Sequence, residues 1–169
     1  AISALVDAGE GSILFRVVDP EGLSALAEVA VEVLPKLTDP EPADFDRDGD
    51  LDLFIGGRLR HGQYPLPGKS RLLRNDNGNF ADVTNALAPG LAEAGMVTGA
   101  LWTDATGNGW PDLLLATEWG PVKLFRNVDG KLADITANAG LANLTGWWTG
   151  IAPADFDRDG DIDYALGNL

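Results

Sequence analysis

Short apolar runs recur along this chain, and each one is soon followed by glycine or polar residues. Three of them read LFIG at 53–56, LLLA at 113–116 and YALG at 164–167. Runs of about four residues are too short for helices, so this pattern predicts buried β-strands.

The apolar runs belong to a longer repeat. RLLRNDNGNFADVT at 71–84 matches KLFRNVDGKLADIT at 123–136, and VTGAL at 97–101 matches WTGIA at 148–152. Each long copy contains a tight-hairpin signal, Asn-Gly in one and Asp-Gly in the other. One unit therefore predicts four strands, at 97–103, 112–117, 121–127 and 131–136. Four antiparallel strands in each repeat are typical of a β-propeller blade, so we expect an all-β partial propeller of about three blades over 39–169.

Residues 1–38 lack this repeat. SILFRVVD at 12–19 predicts a strand, 20–22 a turn and 23–34 a second strand. The apolar positions of 23–34 also allow a helix, but the β-branched Val29, Val31 and Val33 favour the strand. The phrase DPEGLSALAEVAVEVLP resembles the last hairpin of cadherin- or immunoglobulin-like modules. We expect 1–38 to be a hairpin and linker that either ends such a module or completes the last blade.

Composition and charge narrow the function. The chain has 169 residues, 26 acids against 12 bases, and a net charge of −14. Without a basic stripe it is not expected to bind nucleic acid, and without a long apolar run it is not expected to insert into a membrane. A signal peptide is also not evident. There is no cysteine for disulfide or thiol chemistry, and His61 is the only histidine.

Much of the acidity lies in three related nine-residue segments. They read DFDRDGDLD at 44–52 (the first loop), DATGNGWPD at 104–112 (the second loop) and DFDRDGDID at 155–163 (the third loop). Each carries oxygen-bearing side chains at positions 1, 3, 5 and 9 and glycine at position 6. Clustered oxygen ligands suit a hard cation, which favours Ca²⁺ over zinc or copper.

The spacing excludes an EF-hand. That motif needs an acid at position 12 and a helix on each side. Position 12 is Ile55, Leu115 or Leu166 in the three loops, and a predicted strand follows each one. The loops are therefore expected to connect the first and second strands of each unit.

The repeat is similar to a known family. LFRNVDGKLADITANAGL and ADFDRDGDIDYALGN resemble the FG-GAP/VCBS repeats of integrin α-subunit and cartilage acidic protein-like calcium-binding propellers, and the resemblance covers 44–169. In such repeats the side chains at 1, 3, 5 and 9 and the carbonyl at 7 bind Ca²⁺. The implied ligands are Asp44, Asp46, Asp48, the Asp50 carbonyl and Asp52; Asp104, Thr106, Asn108, the Trp110 carbonyl and Asp112; and Asp155, Asp157, Asp159, the Asp161 carbonyl and Asp163. The second loop has only two charged ligands, so we expect two strong calcium sites and one weaker site.

The function that we expect is a non-enzymatic, extracellular or cell-surface module with structural calcium, which binds a protein or carbohydrate ligand. The repeats end in mid-unit, so the chain is expected to be part of a longer polypeptide or to self-associate. An alternative is the propeller part of a secreted polysaccharide lyase or dehydratase, and a third is a rigid spacer in an adhesin.

Two groups of side chains bear on these alternatives. The insert at 57–69 is expected to be a surface loop without a binding role; the alternative is that it holds an acidic sugar through Arg58, Arg60, His61, Gln63 and Tyr64. Four of the five tryptophans are expected to pack between blades rather than stack on sugars, with Trp110 the exception; the four are Trp102, Trp119, Trp147 and Trp148.

Overall fold

The computed structural model describes residues 41–169 together with the backbone of three earlier strands. These are β1 (Ile2–Leu5), β2 (Ser12–Val18) and β3 (Ser24–Ala30), which form an antiparallel sheet in the order β1-β2-β3. The strands predicted within 12–19 and 23–34 are confirmed as β2 and β3, whereas β1 was not predicted. The turn at 20–22, residues 31–34 and the linker before 41 lie outside the described residues.

The first repeat is a four-stranded antiparallel sheet in sequential order. Its strands are β4 (Glu41–Ala43), β5 (Asp52–Ile55), β6 (Arg71–Asp76) and β7 (Asn79–Asp82). A short helix α1 (Thr84–Leu87) and a 3₁₀ turn (Leu91–Glu93) then lead to the second repeat. Neither helical turn was predicted from the strand pattern.

The second and third repeats share one six-stranded sheet. The second contains β8 (Met96–Thr103), β9 (Asp112–Pro121), β10 (Lys123–Val128) and β11 (Lys131–Asp134), and the third contains β12 (Thr145–Ala154) and β13 (Asp163–Asn168). The order is β11-β10-β9-β12-β13, with β8 also paired to β9. The four strands predicted for one unit are confirmed, although β9 continues to Pro121 and its last residues pair with the start of β12.

The two predicted hairpin turns have the backbone conformation that their sequences indicate. Asn77 and Gly78 have φ of 52° and 86°, and Asp129 and Gly130 have 51° and 74°. Two successive positive φ values match the twist of two antiparallel strands, which is why Asn-Gly and Asp-Gly connect them so tightly.

The hydrophobic core lies between the sheets of successive repeats. Alternate residues of β9 serve two different cores, since Leu113 and Leu115 belong to one cluster and Leu114 and Ala116 to another. The first cluster joins the two larger repeats, and its main members are Phe45, Phe54, Leu72, Val97, Leu113, Leu115 and Phe125. The second joins the second repeat to the third, where Trp148 is 8% exposed. The predicted strand at 164–167 is present within β13, but its residues are partly or fully exposed.

Among the described residues, no helix has the length and apolar character required to span a bilayer.

Candidate metal centres

The three aspartate-rich loops occupy equivalent places in the fold. Each joins the first strand of its repeat to the second: β4 to β5, β8 to β9 and β12 to β13. Position 6 has a positive φ in all three loops, of 97°, 83° and 100° at Gly49, Gly109 and Gly160. Position 4 also has a positive φ, although it is Arg47 in the first loop and Arg158 in the third. The glycine at position 6 was evident from the sequence, but the left-handed conformation of the two arginines was not predicted.

A common set of hydrogen bonds holds the three loops in shape. The N–H of position 6 donates to the carboxylate of position 1, at 3.2 Å in the first and third loops and 2.8 Å in the second. The N–H of position 7 donates to the side-chain oxygen of position 5, at 2.9 Å in each loop. The loop geometry therefore comes from backbone donors that turn these side chains inward.

This shape brings positions 1, 3 and 5 together. In the first loop Asp44, Asp46 and Asp48 each offer a carboxylate oxygen, and the three oxygens lie within 4.8 Å of one another. Asp155, Asp157 and Asp159 do the same in the third loop. Two aspartate triads that could hold a metal ion are thus present, as the sequence predicted.

The aspartate at position 9 of each loop is not part of these triads. Its carboxylate accepts hydrogen bonds from backbone N–H groups and so holds the loop in place. Asp52 is fully buried; its Oδ2 accepts from the Phe45 N–H at 3.0 Å and its Oδ1 from the Asn75 N–H at 2.8 Å. Asp112 likewise accepts from the N–H groups of Thr106 and Asn127 at 2.9 and 2.7 Å, and Asp163 from that of Phe156 at 2.9 Å. A brace of this kind was not predicted from the sequence, while direct metal ligation by the position 9 acids stays a prediction.

Without a counter-charge, burial and mutual repulsion destabilise the ionised carboxylates of the first loop. Burial raises the pKa of Asp52 to about 7, although the backbone hydrogen bonds from Asn75 and Phe45 oppose the shift. Burial, with repulsion from Asp48, also raises the pKa of Asp46. The Oδ1 atoms of Asp44 and Asp46 are buried and have no hydrogen-bond partner. Buried, unpaired carboxylate oxygens are costly, so the residues present fit a bound hard cation.

The second loop is a weaker version of the same arrangement. Its Thr106 hydroxyl is buried without a partner, as expected of an unused oxygen ligand. Asn108, however, uses both ends of its amide: its Oδ1 accepts from Trp110 and its Nδ2 donates to the Asn127 carbonyl at 2.8 Å. Because the second loop has only two carboxylates and its Asn108 amide is already hydrogen-bonded, it offers fewer metal ligands than the first and third loops.

The first loop also contacts the second repeat. The Arg47 guanidinium donates to the Gly109 carbonyl and lies 4.3 Å from the centroid of the Trp110 ring. A Cβ added at Gly130 would lie 2.9 Å from the Cβ of Asp46, so the second repeat's hairpin turn packs directly against a residue of the first aspartate triad. Trp110, predicted to supply a carbonyl, thus also has a side chain that joins two successive loops.

We expect Arg47→Lys to lower the free energy of unfolding by about 1 kcal/mol, because lysine lacks the planar guanidinium that stacks on Trp110. The measurement is urea unfolding at constant calcium. Arg158→Lys is the matched control, since Arg158 has the same backbone conformation but no hydrogen bond or ring contact within the described chain. Equal losses in both variants would contradict an Arg47 contact between repeats.

The side chains of the insert at 57–69 fall into two groups, one hydrogen-bonded to the second repeat and one exposed to solvent. Arg58 donates to Glu118 Oε2 at 2.7 Å, Tyr64 donates to Glu118 Oε1 at 3.1 Å, and Trp119 donates to the Tyr64 hydroxyl at 2.7 Å. The other side chains predicted for an acidic sugar, those of Arg60, His61 and Gln63, are exposed. The structure therefore does not gather the five into one site.

The four tryptophans that were predicted to pack between blades differ in their burial. Trp148 is buried as predicted, and Trp102 is half-buried and stacks on Phe45 with centroids 6.2 Å apart. The prediction of inter-blade packing is wrong for Trp119, which is 58% exposed. Trp147 is half-buried, and its ring centroid lies 4.7 Å from that of Trp119.

Comparisons with known proteins agree with these repeats. A family model described as an FG-GAP-like repeat matches residues 44–115 and 104–166. A 58-residue segment is 40% identical to cartilage acidic protein 1 of Xenopus tropicalis. That alignment covers 34% of this chain and 9% of the relative, so the chain matches only a small part of that relative's length.

Proposed function

The chain belongs to the FG-GAP-like repeat family, and on that premise we propose that it is a calcium-stabilised, non-enzymatic propeller module that presents a binding surface. FG-GAP repeats imply propeller blades, and the face-to-face cores of the successive repeats support this architecture. A propeller needs about four to eight blades. We therefore propose that further blades, from the same polypeptide or from another copy, complete the ring.

The buried, unpartnered Oδ1 atoms of Asp44 and Asp46 carry the calcium assignment. Asp44, Asp46 and Asp48 would hold one ion, and the Asp155, Asp157 and Asp159 triad another. All these ligands are hard oxygens on a loop already shaped by its own backbone, which suits Ca²⁺. Bound calcium supplies the positive charge that lets the carboxylates stay ionised and close together.

We propose a structural role because Asp52, the acid with a raised pKa beside the first triad, is fully buried and both its oxygens accept from backbone N–H groups. The nearest side-chain hydrogen bonds of the first loop brace it or join it to the second repeat. An extracellular or cell-surface location fits this proposal, since calcium is abundant there and the weaker second loop would need about 10⁻⁴–10⁻³ M. The partner would be a protein or a carbohydrate.

Calcium titration of the chelator-treated protein by calorimetry tests the assignment. We expect two tighter sites and one weaker site, with one tight site lost in Asp46→Asn and the other in Asp157→Asn, because each substitution removes a charged ligand. Glu93→Gln is the control: it also removes one carboxylate, from an exposed side chain whose 3.9 Å ion pair with Lys69 lies outside the loops. Absence of calcium binding, or equal loss in Glu93→Gln, would refute the proposal.

A further inference from the structure

An open cleft of about 550 Å³ lies on the side of the sheets where β9 ends, between Tyr64 of the insert and Trp119. Its volume falls in the range of small-ligand sites. Trp119, which is 58% exposed, forms one wall of this cleft.

The Trp119 ring is held rigidly in spite of its exposure. Its backbone has a φ of 61°, which is unusual for a bulky side chain. Its Nε1 donates to the Tyr64 hydroxyl, which in turn donates to Glu118, and its ring contacts that of Trp147. A strained backbone and a fixed aromatic ring in an open cleft are features of binding sites, since packing alone would bury the ring.

The charges around the cleft select a neutral ligand. Glu118 is the only acid or base that lines it among the described residues, and its side chain is 1% exposed and paired with Arg58 at 2.7 Å. An anion would meet a chain of net charge −14, and a cation would find the carboxylate already neutralised by Arg58. The same net charge disfavours nucleic acid.

The hydrogen bond that Trp119 already makes narrows the choice of neutral ligand further. A polyproline peptide would use a free indole N–H to bind a carbonyl, but the Trp119 N–H already donates to Tyr64. Stacking against the flat face of a ring needs no such donor. A sugar ring offers an apolar face that can stack on the Trp119 ring, together with polar edges that stay in water in an open cleft.

We propose that Trp119, with Tyr64 and Trp147 beside it, forms a binding site for a neutral oligosaccharide. The inference rests on the proposed function, because it names the partner class of that binding surface. It also differs from the acidic sugar that was the alternative for the insert, because Arg58 is paired with Glu118 and does not face a ligand as a free charge.

The test titrates the calcium-loaded chain with neutral hexasaccharides of glucose, mannose or N-acetylglucosamine, with a hexuronate oligosaccharide and with a proline-rich peptide. Binding is followed by tryptophan fluorescence and calorimetry. At least one neutral hexasaccharide should bind at millimolar concentration or below, and the hexuronate should bind more weakly. Trp119→Asn should weaken binding by about tenfold or more, whereas Trp119→Phe should retain it within about threefold because a ring remains. Asparagine tolerates a positive φ, so the loop should keep its shape.

Tyr64→Phe provides an independent variant that leaves the backbone of β9 untouched. Loss of the hydroxyl that anchors the indole should weaken binding by about threefold. Val128→Ala changes an exposed side chain outside the cleft and should bind normally. The site assignment is overturned if no neutral hexasaccharide binds, if Trp119→Asn binds normally, or if the hexuronate or a proline-rich peptide binds better. Calcium-dependent stability without glycan binding would refute this inference alone, whereas absence of calcium binding would refute the proposed function.

Discussion

Removal of calcium should lower the melting temperature of this chain by about 10–20 °C. Binding to the folded state alone contributes about 2.7 kcal/mol per site when free calcium is about 100 times the dissociation constant. Two sites contribute about 5 kcal/mol, and each kcal/mol shifts the melting of a chain of this size by about 2–4 °C. The unfolded chain gains little from calcium, because the triads exist only when the loop backbone is folded.

Thermal unfolding with EGTA and with increasing calcium measures this shift. Magnesium at the same concentration should stabilise much less, since it prefers a compact octahedral shell that it fills largely with water. The double variant Asp46→Asn/Asp157→Asn should respond weakly to calcium, and Glu93→Gln should respond like the unchanged chain. Superimposable melts with EGTA and with calcium would show that the triads do not stabilise the fold through an ion.

The parts of the fold that could be predicted depend on neighbours in sequence. The Asn77-Gly78 and Asp129-Gly130 turns define their hairpins locally, and the apolar runs of β5 and β9 define buried strands. The spacing of the loop aspartates likewise predicted both triads, because one loop backbone places positions 1, 3 and 5 together. Local geometry was sufficient for each of these.

The parts that could not be predicted depend on contacts across the chain. Asn127 reaches a carbonyl 82 residues away, and Trp119 reaches Tyr64 across 55 residues. Trp148 and Trp119 both lie in strands, yet one is buried and the other exposed. The difference arises because Trp148 faces the core between repeats, whereas Trp119 lies in the part of β9 that extends beyond its pairing with β10.

Truncation of Asn127 should have the largest effect of any single change near the loops. Asn127 is fully buried, and its Nδ2 donates to the Phe45 carbonyl of the first loop at 2.8 Å and to the Pro111 carbonyl of the second loop at 3.0 Å. Asn127→Ala leaves both carbonyls without this donor, and water cannot reach Phe45, which is fully buried. We expect the free energy of unfolding to fall by about 2–4 kcal/mol.

Asn75 is the matched control, because it occupies the same place in the first repeat. Its Nδ2 donates to the Leu51 carbonyl at 3.1 Å and its Oδ1 accepts from the Gly78 N–H at 2.7 Å, so both contacts stay within one repeat. Leu51 is 36% exposed, and water can replace the lost donor. Asn75→Ala should therefore cost only about 1 kcal/mol.

Calcium affinity distinguishes a bridge between repeats from ordinary packing. If Asn127 holds the backbone of the first loop through Phe45, Asn127→Ala should weaken the first-loop site and leave the third-loop site unchanged. The Asp157→Asn background isolates the first-loop site for calorimetry, and the Asp46→Asn background isolates the third. An equal stability loss in Asn127→Ala and Asn75→Ala, with unchanged first-loop affinity, would mean that the two repeats are joined by their apolar core and not by this amide.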